Sequence, residues 1–122
     1  MATRILVVDD DNITRKFVSF ILRSEGFEVI AAQDGMEALE MMGGTEVDLV
    51  ITDLNMPKMD GAELIRTIRN GSVQPDLPII MLSTEADEES RDLVFQAGVS
   101  DYMIKPVSRK ELTDKVRDCV KN

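Results

Sequence analysis

The strongest constraint on this chain is a rhythm. Five short apolar runs, rich in Val, Ile and Leu, alternate with longer stretches that carry apolar residues at helical spacing. The runs fall at 4–8, 27–31, 47–52, 77–82 and 101–104. Short apolar runs that are each followed by a helix read as βα units, stacked into a parallel sheet with helices on both faces. The first run, Arg4-Ile5-Leu6-Val7-Val8, is apolar almost without a break, as a strand covered on both faces must be. The expected class is therefore α/β: a single doubly wound sheet of five parallel strands with five helices. These elements use all 122 residues, which predicts one domain over 1–122 with no linker, repeat or effector domain.

The helices read as follows. Ile13, Phe17, Ile21 and Leu22 are the predicted inner face of the first, and Gly26 its stop. Asp34 and Glu37 form a capping-box pattern ahead of a second helix, with Met36, Leu39 and Met42 inward and Gly43-Gly44 ending it. Leu64, Ile65 and Ile68 mark a third, ending near Asn70-Gly71. A fourth spans 87–97 and stops at Gly98. Ser108 and Glu111 open the last, which turns Leu112, Val116, Cys119 and Val120 inward.

Composition removes whole classes of chemistry. The chain has 23 acids against 14 bases, a net charge of -9, which argues against nucleic acid and anionic membranes as partners. It has no histidine, so it holds no Ser-His-Asp triad, no His-ligated zinc and no phosphohistidine of its own. One cysteine excludes an internal disulfide and fits a reducing compartment. No signal-like segment or apolar span of membrane length is present, so the expected location is the cytoplasm. Carboxylate, hydroxyl and lysine chemistry remain.

In an open parallel sheet, ligands bind outside the carboxyl ends of the strands. The residues there are Asp9, Asp10 and Asp11 after the first strand and Asp53 after the third. Ser83 and Thr84 follow the fourth, and Lys105 the fifth. Clustered carboxylates repel one another unless a cation is held among them. Oxygen-only ligation by one or two carboxylates plus waters is how Mg²⁺ is usually bound. With the charge so screened, a carboxylate can attack phosphorus, while a lysine and a hydroxyl hold the phosphoryl oxygens. The constellation predicts phosphoryl transfer onto an aspartate. Each residue alone has an ordinary reading. Asp11 is the best candidate for a mere helix cap, Asp53 for loop punctuation, Ser83 and Thr84 for a helix start, and Lys105 for an exposed lysine. What is specific is the coincidence at four strand ends.

Four segments carry a family resemblance: Val7-Val8-Asp9-Asp10, the stretch from Asp53 to Gly61 (DLNMPKMDG), Leu82-Ser83-Thr84, and Asp101-Tyr102-Met103-Ile104-Lys105-Pro106. Over its full length the chain resembles the receiver domains of two-component response regulators, especially the stand-alone chemotaxis type (CheY-like). The resemblance implies strand order 2-1-3-4-5, an order for which CheY is itself a standard example. It implies Asp53 as phosphoacceptor from the phosphohistidine of a sensor histidine kinase. It implies Mg²⁺ held by Asp9, Asp10, Asp53 and the backbone carbonyl of Asn55, with Asp10 direct and Asp9 through water. Ser83 matches the switch hydroxyl, and Lys105 the lysine that pairs with the phosphoryl group, before a cis bond to Pro106. Tyr102 matches the switch aromatic, expected to turn inward once phospho-Asp53 draws in Ser83. Asn55 and Glu85 match positions that tune the lifetime of the aspartyl phosphate. A monomer is expected, with a flagellar motor switch as the obvious candidate for output.

The fourth helix is read as an output surface. Its spacing puts Ser90, Leu93, Val94 and Ala97 on one face and Glu88, Arg91, Asp92 and Phe95 on the other. Phe95, a lone aromatic in a charged rim, is the candidate partner anchor. Residues 70–103 hold seven acids and one base, whereas 104–122 hold six bases and three acids. Two other functions fit parts of the pattern. Asp9-Asp10-Asp11 also matches the Asp-x-Asp start of haloacid-dehalogenase-like phosphatases, with Asp9 as nucleophile. A receiver fold acting as an interaction module without phosphorylation is the other. The expectation is a switch, not an enzyme.

Overall fold

Both faces of the strands are covered, which explains their unbroken apolar character. In the computed structural model, which describes residues 2–71, 74–84 and 87–120, ten elements alternate. They are β1 (Arg4–Val8), α1 (Asn12–Ser24), β2 (Glu28–Ala32), α2 (Gly35–Gly44), β3 (Leu49–Asp53), α3 (Gly61–Asn70), β4 (Ile79–Ser83), α4 (Glu88–Ala97), β5 (Asp101–Ile104) and α5 (Arg109–Val120). The sheet order is β2-β1-β3-β4-β5, with every pairing parallel.

Alternate strand residues feed two apolar layers. Leu6, Val8, Val50, Ile79, Met81 and Tyr102 join Ala38, Met42, Leu64, Ile65, Ile68 and Val94 of α2, α3 and α4. Ile5, Val7, Leu49, Ile51, Ile80, Leu82 and Met103 join Val18, Ile21, Leu22, Leu112 and Val116 of α1 and α5. Arg69 ties α3 to its neighbours, donating from Nε to the Gly98 carbonyl at 2.9 Å and from its guanidinium to the carbonyls of Pro75 and Leu77.

Helix starts obey capping chemistry. Asp34 accepts from the Glu37 N–H at 2.8 Å, while Glu37 reaches back to the Gln33 N–H at 2.9 Å. Asp60 caps α3, Asp87 caps α4, and Ser108 accepts from the Glu111 N–H. Gly26 and Gly98, at φ 95 and 109, take the left-handed conformation that ends α1 and α4.

Three expectations are corrected. Ile13 and Phe17 are exposed, not inward; α1 instead buries Val18, Ser19, Ile21 and Leu22. Met36 and Leu93 are also exposed, and Val94 alone is the buried residue of α4. Gly43 and Gly44 do end α2, as its last two residues, with Thr45 as the C-cap. The strands β2, β3 and β4 begin one or two residues later than the apolar runs suggest. For β4 the reason is Pro78, which has no N–H to give the ladder; its carbonyl accepts from Val50 at 3.0 Å and regular pairing starts at Ile79. The later register places Asp53 and Ser83 as the last residues of their strands. Among the described residues no helix is long and apolar enough to cross a membrane.

Candidate functional site

β1, β3 and β5 deliver charge to one edge of the sheet. Asp9 follows β1 and is 3% exposed; Asp53 ends β3 at 9%. Asp10 stays exposed beside them. One carboxylate oxygen from each of the three lies within 4.8 Å of the others. Lys105 enters from the end of β5, its Nζ 3.1 Å from Asp9 Oδ2 and 3.4 Å from Asp53 Oδ1. Its backbone N–H donates to the Ser83 carbonyl at 2.8 Å, and its bond to Pro106 is cis.

Local structure fixes the carboxylates. Asp9 Oδ1 accepts from the Asp11 N–H at 2.8 Å, which turns its other oxygen to Lys105. Asp53 Oδ1 accepts from the Leu54 N–H at 2.9 Å. Asp11 is the cap of α1, accepting from the N–H groups of Ile13 and Thr14 and from the Thr14 hydroxyl. That hydroxyl, with the Thr14 N–H, holds its carboxyl below the usual range. Asp11 is thereby the structural member of the acidic run.

The loop after β3 is tightly folded. Lys58, at φ 71, is the centre of a γ-turn in which the Met59 N–H donates to Pro57 at 2.8 Å. Gly61 then donates to the Leu54 carbonyl at 2.8 Å. A Cβ on Gly61 would stand 2.3 Å from the Asp53 carbonyl oxygen, so only glycine lets α3 start against the end of β3.

The electrostatics are unbalanced. Burial, and then the Asp9 carboxylate, push the Asp53 carboxyl above its ordinary value. Burial pulls the Lys105 ammonium down, but the Asp53 and Asp9 carboxylates together outweigh it and leave it raised. One ammonium faces three carboxylates. This donor set suits a hard divalent cation: oxygen ligands only, converging, with charge left to neutralise. Asp9, Asp10 and Asp53 would hold Mg²⁺, with open positions for water and phosphate oxygens.

The remaining candidates separate. Ser83 is fully buried at the end of β4, paired in register with Ile104. Asn55 is exposed on the β3–α3 loop, two residues past Asp53. Glu85 lies outside the described residues. Tyr102, on β5, is 6% exposed, so its ring already lies inward here, whereas the sequence reading has it turn in only after phosphorylation. Phe95 is 44% exposed and Leu93 57% on the outer side of α4. Sequence reasoning assigned no role to Gly61, although a glycine directly after the Asp60 cap was a readable sign of close approach. It also missed Arg91, whose guanidinium stands 5.6 Å from the centre of the Tyr102 ring.

Comparisons with known proteins point to one family and one fold. The family described as "Response regulator receiver domain" matches residues 5–117. The response regulator MprA of a Mycobacterium species is 39% identical over 117 residues, covering 96% of this chain and 50% of that protein. The CAI-1 autoinducer sensor kinase/phosphatase CqsS of Vibrio cholerae is 39% identical over 114 residues, covering 93% of this chain and 17% of that protein. The chain thus spans half or less of these curated relatives. Among solved structures, the V. cholerae chemotaxis protein CheY4 superposes with TM-score 0.93 at 33% identity, over 98% of this chain and 99% of that one. A response regulator from Chloroflexus aurantiacus superposes with TM-score 0.96 at 32% identity over the whole of both chains.

Proposed function

The chain belongs to the response regulator receiver family, and from that premise we propose that it is a phosphorylation-driven switch with Asp53 as its phosphoacceptor. The observation that carries the reading is the convergence of Asp9, Asp10, Asp53 and Lys105 at one sheet edge. A sensor histidine kinase is the donor: a phosphohistidine N–P bond breaks, an O–P bond forms on an Asp53 oxygen, and the imidazole leaves with the bonding pair. Mg²⁺, when bound, supplies the positive charge that lets two anions approach. Lys105 holds an acceptor oxygen in the resting site and, free to swing on its stem, pairs with the arriving phosphoryl group. Ser83, at the neighbouring strand end, supplies the hydroxyl that follows it.

Activity on a separate substrate is not part of this reading. Output is partner binding, through the surface of α4, β5 and α5, with Phe95 as an anchor. The full-length structural likeness to a chemotaxis protein supports chemotaxis, or a related phosphorelay, as the setting. The deciding experiment is incubation with acetyl phosphate and Mg²⁺, followed by intact mass. The expected result is one phosphoryl group on the wild type, lost when Mg²⁺ is chelated and absent in Asp53→Asn. A wild type that gains no mass refutes the reading. A phosphatase centred on Asp9 would still form its intermediate in Asp53→Asn.

A further inference from the structure

Arg91 is the single base among the seven acids of residues 70–103. Glu88 and Asp92 flank it on α4, so an ion pair is the expected use of its charge. None of the ion pairs among the described residues includes it. Its guanidinium lies instead over the Tyr102 ring, 5.6 Å from the centroid. Exposed ion pairs contribute little. The ring, 6% exposed and packed in the layer that Val94 covers, presents the cation with a face largely shielded from water.

We propose that Arg91 is a positioning residue for Tyr102: its cation–π contact holds the ring inward before any phosphoryl group arrives, so that α4 sets the resting state of the aromatic on β5. The consequence for signalling rests on the switch reading above. The hold on the resting ring does not. With Arg91 in place, the inward position is already well populated, and phosphorylation has less left to change. Without it, the ring samples outward positions more often, and the response to phosphorylation grows.

The chain has one tyrosine and no tryptophan, so its tyrosine fluorescence reports this ring alone. Acrylamide, an uncharged quencher, measures the ring's exposure without responding to the lost charge. In the full unphosphorylated chain, Arg91→Gln should raise the outward population about two- to fivefold, with Arg91→Lys between it and wild type. Thermal midpoints should stay together, because Arg91 is exposed. Glu88→Gln, which removes a neighbouring acid and leaves Arg91 in place, should quench like wild type. Equal quenching in Arg91→Gln and wild type overturns the proposal, as does an equal rise in Glu88→Gln. Beryllofluoride with Mg²⁺ then separates the two readings. The mimic should reduce quenching more in Arg91→Gln than in wild type; an equal change in both overturns the pre-setting. No change in either, with the resting difference intact, refutes the switch reading and leaves the hold of Arg91 on the ring standing.

Discussion

The carboxyl edge of the sheet and the outer side of α4 are both rich in acid, yet they use it in opposite ways. At the sheet edge two carboxylates are buried against a single ammonium, so each group constrains the next. On α4 the acids stay in water, and the side chains that stand out are an exposed Phe95, an exposed Leu93 and one arginine turned toward a ring. Buried charges interact strongly, while exposed ones are screened. The first region should therefore fail as a unit when touched. The second should respond in small, graded steps, because each of its groups is solvated on its own.

The largest effect expected is at Asp53. Asp53→Asn should abolish phosphoryl uptake, read by intact mass after treatment with acetyl phosphate and Mg²⁺. The same variant should be more stable than wild type at neutral pH. Burial and Asp9 raise the folded-state value of the Asp53 carboxyl above 3.8. The folded state thus binds that proton more tightly, and this stability is present in full below 3.8 and lost as pH rises through the folded value. Melting curves across pH should show the advantage of Asn at neutral pH and its disappearance in acid. An Asn variant that is less stable at neutral pH would break the comparison, since the pocket's charge would then be fully compensated.

Next comes the glycine that lets α3 meet β3. Gly61→Ala puts a methyl group 2.3 Å from the Asp53 carbonyl oxygen and 2.9 Å from Met81 Cε. The backbone has to shift, at a cost of about 3 kcal/mol in denaturant unfolding, and Asp53 should be phosphorylated more slowly. Lys105→Met keeps the aliphatic stem but leaves Asp9 and Asp53 without their shared partner. A loss of about 2 kcal/mol is expected, recovered in part by added Mg²⁺. Recovery by Mg²⁺ equal to that of wild type would show that Lys105 and the cation do not share a charge deficit.

These residues differ in how readable they were. Asp9, Asp10, Asp53 and Lys105 could be placed together from sequence because a strand end is a fixed address in a parallel sheet. The helix faces were harder. On α1 the apolar residues from Ile13 to Leu22 sweep an arc of about 180°, wider than the sheet covers. Periodicity shows that such an arc exists but not which half is buried, and the sheet takes the side of Val18 and Leu22 while Ile13 and Phe17 face water. On α4, Leu93 and Val94 are sequence neighbours about 100° apart, and only Val94 meets the layer below. Arg91 left no readable sign, since its partner is a ring eleven residues away on another element.

The smallest stability effect should come from Phe95→Ala, and it discriminates most between a surface for binding and a surface for folding. A phenylalanine packed in a core costs about 3–5 kcal/mol when truncated. Phe95 is 44% exposed and belongs to neither apolar layer. Truncation should then change unfolding free energy by only about 0.5 kcal/mol, in the range of ordinary surface substitutions. If Phe95 anchors a partner, the same change should weaken capture by the beryllofluoride-bound chain about 30-fold, as loss of a hot-spot side chain does. Leu93→Ala, on the same helix and more exposed, measures how far the anchor extends. Unchanged stability with unchanged capture removes Phe95 from the output surface. A large loss of stability would erase the contrast between the two regions, because α4 would then be built like the site it serves.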